Sequence, residues 1–390
     1  MLRIRLLNAR PLLIVLLAFS AISVALGQAR RVIAAPTGLG GSAPSAVVSD
    51  AGYLALAYFD EFRLQMVDLG LHPLGEPIVI EGPRPFAKIR HNELLAVEEG
   101  FLLVSEDQVY AVLARPLDHS GRPTGLVEDL EAHSPFGARA AHHRSGSTVV
   151  TYGSIFPNPF AWVRPVTDDG VPRDVWRRIA PKRISGLANL LIGDVLQVPV
   201  APIGQAFFSA WIDQSSGLYV RDIDRNGVPF GASVQVVPVD ECPHHVAVAS
   251  LGLEELIVFS SGCGARSLSL TKRFAEQEQV ADPTPLDLLA PADRFPDASV
   301  LTMTATLDRV GVLYEADRNA EDAGWVFYEL DSEGTVLDGP IDLEADLGGR
   351  EVRQAALDVD RRLDRFVVSW VGDGPEGPGL YLALPTDVAR

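Results

Sequence analysis

Short apolar segments recur along this chain at steps of about fifty residues, each set between polar turns, and that period is the strongest regularity in the sequence. The segments are "YLALAYFD" from Tyr53, "FLLVSED" from Phe101, "TVVTYGS" from Thr148, "AFFSAWID" from Ala206, "LIVFSSG" from Leu256, "VGVLYEAD" from Val310 and "FVVSWVGD" from Phe366, seven copies in all. Several close on an aromatic followed by an acid, as in Tyr58-x-Asp60, Trp211-x-Asp213, Tyr314-x-x-Asp317 and Trp370-x-x-Asp373. A further apolar segment and a short turn precede most copies, as in "SAVVSDAGY" and "LLAVEEGF". Another strand-like segment follows, as in "FRLQMVDLG" and "GWVFYELD", and then a polar turn and a fourth short strand such as "EPIVIEG" or "ASVQVVP". Each unit therefore predicts a four-stranded antiparallel meander. Sandwich domains need about seven strands over roughly a hundred residues, so the period argues against them. It predicts an all-β, seven-bladed β-propeller, with six- or eight-bladed rings as the neighbouring options. The last unit stops after its third strand, "GLYLALP", while "RRVIAAP" at Arg30 to Pro36 stands before the first unit without a partner. An N-terminal strand completing the last blade closes the ring and removes two exposed edges.

The turn before the fourth strand also settles a candidate metal loop. "RDIDRNGVPFG" contains Asp222-x-Asp224-x-Asn226-Gly227, the opening half of a calcium loop. A helix-loop-helix calcium site needs Glu at its twelfth position, and counting from Asp222 that position is Ser233. Asp224-Arg225-Asn226-Gly227 instead lines up with Asp118-His119-Ser120-Gly121, Thr167-Asp168-Asp169-Gly170 and Asp331-Ser332-Glu333-Gly334. These read as hairpin turns in which Asp bonds the local backbone and Gly takes a positive φ. On that reading Asp222 is dispensable.

On these residues the chain resembles the secreted bacterial seven-bladed β-propeller repeat proteins, whose units carry W-x-D, then G-x-Y, then a D-x-x-G turn. The fullest match is the fourth unit, "AFFSAWIDQSSGLYVRDIDRNGVPFGASVQVV". The second unit departs from the pattern with Ser105 in place of the aromatic, and the fifth, "SLSLTKRFAEQEQVAD", lacks the D-x-x-G turn. The likeness covers nearly all of the chain after its first thirty or so residues and implies a fold without a catalytic motif.

Composition narrows the partners. Arg3, Arg5 and Arg10 precede the apolar run "PLLIVLLAFSAISVALG", which ends on small residues. Residues 1–29 read as a signal peptide and residues 30–390 as the propeller, with a retained anchor as the alternative. A secreted or periplasmic location follows, without membrane insertion after cleavage. The formal net charge of −18 makes nucleic acid an unsuitable partner, since phosphate contacts need clustered Lys and Arg. The basic cluster "WRRIAPKRISG", with Arg177, Arg178, Lys182 and Arg183, reads as a solvated loop.

Candidate chemistry is sparse. There is no G-x-S-x-G elbow, phosphate-binding glycine loop or H-E-x-x-H helix. His142-His143 and His244-His245 are the histidine pairs, but the spacing puts them at opposite ends of their strands, which disfavours a shared metal. Tyr58, Tyr152, Trp211, Tyr314 and Trp370 recur at one place in the repeat, as packing between blades requires, with a sugar platform as the rival reading. No catalytic, cofactor or metal residue is assigned. The expectation is an exported, non-enzymatic binding or interaction protein whose ligand is a protein or a glycan. The alternative is a secreted glycan-acting hydrolase or lyase with carboxylates in the central channel. Cys242 and Cys263 flank a predicted hairpin and are expected to form a disulfide. Thiol labelling of the oxidised, exported protein is expected to tag neither cysteine; labelling of both before reduction contradicts the pairing.

Overall fold

The computed structural model describes residues 29–35, 42–49, 52–59, 61–81, 89–107, 111–132, 135–154, 160–180, 198–213, 215–262, 267–286, 301–316, 324–360 and 362–385. The expected signal peptide and Cys263 lie outside these residues. The strand β1 (Arg30–Ala34) comes first. Blade 1 follows as β2 (Ser42–Ser49), β3 (Gly52–Tyr58), β4 (Phe62–Val67) and β5 (Ile78–Ile80). Blade 2 is β6 (Ile89–Val97), β7 (Gly100–Asp107), β8 (Val112–Leu117) and β9 (Glu128–Asp129). Blade 3 is β10 (Pro135–His143), β11 (Ser147–Ser154), β12 (Ala161–Val166) and β13 (Arg177–Arg178). Blade 4 is β14 (Val200–Ile203), β15 (Ala206–Asp213), β16 (Gly217–Ile223) and β17 (Pro229–Pro238). Blade 5 is β18 (Pro243–Leu251), β19 (Glu254–Ser261), β20 (Ser267–Phe274) and β21 (Thr284–Pro285). Blade 6 is β22 (Leu301–Ala305), β23 (Val310–Ala316), β24 (Gly324–Leu330) and β25 (Val336–Asp342). Blade 7 combines β26 (Glu351–Asp360), β27 (Arg365–Gly374) and β28 (Gly377–Ala383) with β1 as its outer strand.

All seven sheets are four-stranded and antiparallel. The first strand of each blade meets the first strand of the next, and β26 meets β2, so the ring is closed. The turns between first and second and between third and fourth strands share one face of the ring, because successive strands reverse direction.

Seven apolar clusters hold the ring, one between each pair of neighbouring blades. Side chains on a strand alternate between its two faces, and here both faces are buried. On β3, Leu54, Leu56 and Tyr58 join the cluster shared with blade 2, whereas Tyr53, Ala55 and Ala57 join the one shared with blade 7. This is why the second strand of each repeat reads as an unbroken apolar run rather than as an alternation. The recurring aromatics lie inside these clusters and pair with an aromatic of the third strand. Trp211 stacks on Tyr219, Tyr314 on Tyr328 and Trp370 on Tyr381, with centroids 5.8, 6.0 and 5.5 Å apart. They are core residues, not an open sugar platform.

In blades 2, 3, 4 and 6 the turn before the fourth strand latches the blade to its predecessor. Asp224 Oδ1 accepts the N–H groups of Asn226 and Val228, both at 2.8 Å, and Gly227 takes φ +71°. Asp118 and Asp331 close equivalent turns, and Thr167 does so through its hydroxyl. A Cβ at Gly227 would meet Pro165 Cδ of blade 3 at 2.7 Å, and one at Gly121 would meet Leu54 of blade 1 at 2.9 Å. The first blade departs from this rule: Leu71 adopts φ +64°, and its side chain is buried in the cluster shared with blade 7.

Closure is double. β1 pairs with β28 from Arg30↔Leu382 to Ala34↔Gly379, and Val32 and Ile33 are buried between blades 7 and 1. Across the same seam Tyr53 donates to Asp360 at 3.1 Å and accepts from Arg365 Nε at 3.0 Å. Removing residues 30–36 strips two buried aliphatic side chains and bares the β28 edge, so calorimetry is expected to show a loss of at least about 3 kcal/mol. Unchanged melting contradicts the seam. Gly227→Val is expected to cost about 1–3 kcal/mol in denaturant titration through strain at positive φ, and a silent substitution contradicts the latch.

Candidate functional site

The first strands of the blades encircle the axis and leave one edge unpaired, so their inward N–H and C=O groups need other partners. In the wall between blades 2 and 3, carboxylates provide them. Glu93 on β6 accepts the Ala140 N–H of β10, and Glu106 on β7 accepts the Ala138 N–H at 2.7 Å. Between those anchor points lies Arg139, next to an irregularity in the β10 register where Gly137 has φ +61°. Its Nε is 3.6 Å from Glu93 Oε1, and its Nη1 is 3.3 Å from His91 Nδ1. An imidazole nitrogen facing a guanidinium acts as acceptor, which puts the His91 proton on Nε2. His91, Glu93 and Arg139 thus form one constellation on two adjacent inner strands.

Its electrostatics are tuned. Burial pushes the Glu93 carboxyl up to about 7, against the opposing pull of Arg139 and the Ala140 N–H. About a quarter of the Glu93 side chain and a fifth of the Arg139 side chain stay exposed, at 26% and 19%. A carboxyl that exchanges its proton near neutrality is suited to general acid or base work. Sequence reading missed these residues. The visible signal was a polar interruption, "RHNE", in the first strand of the second unit, and a lone Arg among alanines in "GARAA" of the third.

The histidine pairs do not join this group. His142 lies beside the β10–β11 turn, its Nδ1 2.8 Å from Thr148 Oγ1, and burial holds its imidazole below the ordinary value. His143 is buried and bonds Ser145 Oγ and the Gly204 carbonyl at 2.6 and 2.8 Å. His244 and His245 sit at the start of β18, so the two pairs occupy opposite ends of their strands, as expected. Cys242 immediately precedes β18. Arg177 and Arg178 form the outer strand β13 rather than a loop, with Arg178 over the Phe160 ring at 4.1 Å; Lys182 and Arg183 lie outside the described residues. Among the described residues no helix is long and apolar enough to cross a membrane.

No protein-family model matches the chain, and no curated protein matches it in sequence. Solved structures do share its shape. An ulvan lyase described as founding a new polysaccharide lyase family superposes with a TM-score of 0.50 at 11% identity, covering 91% of this chain and 96% of that one. A thermostable family-43 glycoside hydrolase gives 0.39 at 12% identity over 79% and 96%. An arginine-to-alanine mutant of AofleA from Arthrobotrys oligospora gives 0.45 at 10% identity over 80% and 91%. The likeness to the lyase agrees with the fold described above. The expectation of a non-enzymatic binding module is corrected here: the shared ring belongs to a polysaccharide lyase, so the missing linear motif does not set this chain apart from enzymes.

A second correction concerns Asp222. It is not dispensable but buried, with its Oδ1 2.6 Å from Arg273 Nη2, and Arg273 also grips Glu255 with Nε–Oε2 at 2.5 Å. The triad joins β16 of blade 4 to β19 and β20 of blade 5. Burial pushes the Glu255 carboxyl up to about 8, with Arg273 opposing and Asp222 reinforcing the shift. Asp222→Ala leaves Arg273 and Glu255 without their balance and is expected to cost about 3–5 kcal/mol in denaturant titration, with calcium making no difference. Glu255 binds its proton more tightly folded than unfolded, so its contribution is fully present below the ordinary carboxylate value and lost as pH rises to about 8. Melting temperature is expected to fall across that window, and Glu255→Gln is expected to remove that slope throughout it. A silent Asp222→Ala, or a slope of opposite sign, contradicts the triad's role.

Proposed function

We propose that this protein is an exported glycan-cleaving enzyme whose proton-transferring group is Glu93 in the channel wall. The observation that carries the proposal is a carboxyl raised to about 7 beside Arg139 and His91, on the inner strands of two neighbouring blades. The name of a protein of similar shape, a polysaccharide lyase, points the same way.

Of the two reactions, elimination fits the constellation better. Hydrolysis uses a pair of carboxyl groups about 5–10 Å apart across the scissile bond. Elimination at a uronate needs one base and a cation on the substrate carboxylate. Glu93 takes the proton next to that carboxylate, a double bond forms between the two ring carbons as the glycosidic C–O bond breaks, and the departing sugar oxygen takes up a proton from solvent to leave as a hydroxyl. Arg139 binds the carboxylate through its planar fork and stabilises the charge that develops.

The test is a panel of neutral and uronate-bearing polysaccharides, read both by reducing ends and by the ultraviolet absorbance of an unsaturated product. Absorbance is expected only with uronate substrates, and Glu93→Gln is expected to lower kcat by about 100-fold or more. As the base must be ionised, activity is expected to fall as pH drops through about 7. Reducing ends without absorbance, lost instead as pH rises, point to hydrolysis with Glu93 as the acid. Full activity in Glu93→Gln removes the assignment.

A further inference from the structure

The turn face of blades 1 to 3 carries two cavities that share a wall, and neither belongs to the Glu93 constellation. The larger, about 380 Å³, opens at the channel mouth between the ends of the inner strands, with Val47, Val48, Ala96 and Val359 among its walls. The smaller, about 270 Å³, lies in the groove between blades 2 and 3 and is edged by Glu99, Glu128, Asp168 and Asp169. Val97 and Phe101 separate them and line both. Leu126, 83% exposed, forms a lip of the acidic cavity. Val97 is four positions beyond Glu93 on β6, about 13 Å along the strand. The two sites are therefore distinct.

We propose that this face docks a peptide segment of a protein partner that sets a large apolar side chain beside a Lys or Arg. Pockets of this size with mostly apolar walls and a few polar groups take organic side chains. The acidic neighbour specifies charge: Glu98, Glu99, Glu128, Asp168 and Asp169 outnumber Arg362, which lies 3.7 Å from Asp360. In an extended peptide, residues i and i+2 project from one side about 7 Å apart, a spacing suited to two cavities divided by one wall. An anionic membrane is repelled by the same carboxylates.

The probe is a phage-displayed library of linear dodecapeptides, selected on the full chain and counter-selected on Glu99→Lys/Asp169→Lys, both exposed positions whose change leaves the cores intact. The affinity of enriched peptides is then read by fluorescence polarisation, with melting curves confirming that the variant is folded. The expected result is enrichment of a large apolar residue two positions from Lys or Arg. Binding should weaken by about tenfold or more in the variant and recover when the peptide's basic residue is replaced by Glu. Equal binding to both proteins, or no enriched pattern, overturns the proposal. Competition at comparable affinity by free tryptamine assigns the cavities to a small amine instead. Self-association in sedimentation that the variant abolishes assigns the face to a second copy. Either result also overturns the proposal.

Discussion

A β-sheet with two apolar faces needs a neighbour on each side, and that requirement governs this molecule. β3, β7 and β11 are buried along their whole length. No blade can meet that demand alone, and a row of blades would leave one bare face at each end. Closing the row into a ring is the arrangement in which every face is covered. The clusters between blades are the core of the protein, and the Asp-Gly turns fix how closely consecutive blades approach. Placing β1 on β28 ties the two ends of the described ring together at the seam between blades 7 and 1.

The same constraint produces the site. Once the outer strands and both faces of each blade are satisfied, the inner edges remain as unpaired backbone around the axis. Between blades 2 and 3, Glu93 and Glu106 occupy N–H groups of that edge and hold Arg139 between them. Structure and chemistry therefore coincide in Glu93: the wall that braces β10 also desolvates the carboxyl and brings its proton exchange close to neutral pH. The Asp222–Arg273–Glu255 triad is a contrast. Its Glu255 carboxyl is also pushed up by burial, but the group is nearly inaccessible, with Arg273 and Glu255 side chains 1% and 0% exposed, and it joins blades 4 and 5.

Much of the architecture was legible in the sequence because it rests on local periodicity. Unbroken apolar second strands, the D-x-x-G turns and the unpaired "RRVIAAP" segment each announce their place without reference to distant residues. The turn reading of Asp224 and Gly227 holds for the same reason. What was illegible depends on contacts between repeats. Asp222 looked like part of its turn, because the Arg273 that buries it lies one blade away. Glu93, His91 and Arg139 were not singled out, because the "RHNE" run of β6 and the lone Arg of β10 are nearly fifty residues apart and become a group only when the two strands lie side by side. A missing linear motif is therefore uninformative about a group that assembles across two blades.

The central claim is that Glu93 holds a proton near neutral pH within a folded ring. It is tested most directly by carbon-detected NMR titration of glutamate side-chain carboxyls, with the Glu93 signal assigned by its loss in Glu93→Gln. The expected midpoint is about 7, moving upward in Arg139→Gln as the opposing guanidinium is removed. A Glu93 midpoint at the ordinary carboxylate value of 4.5 would contradict it.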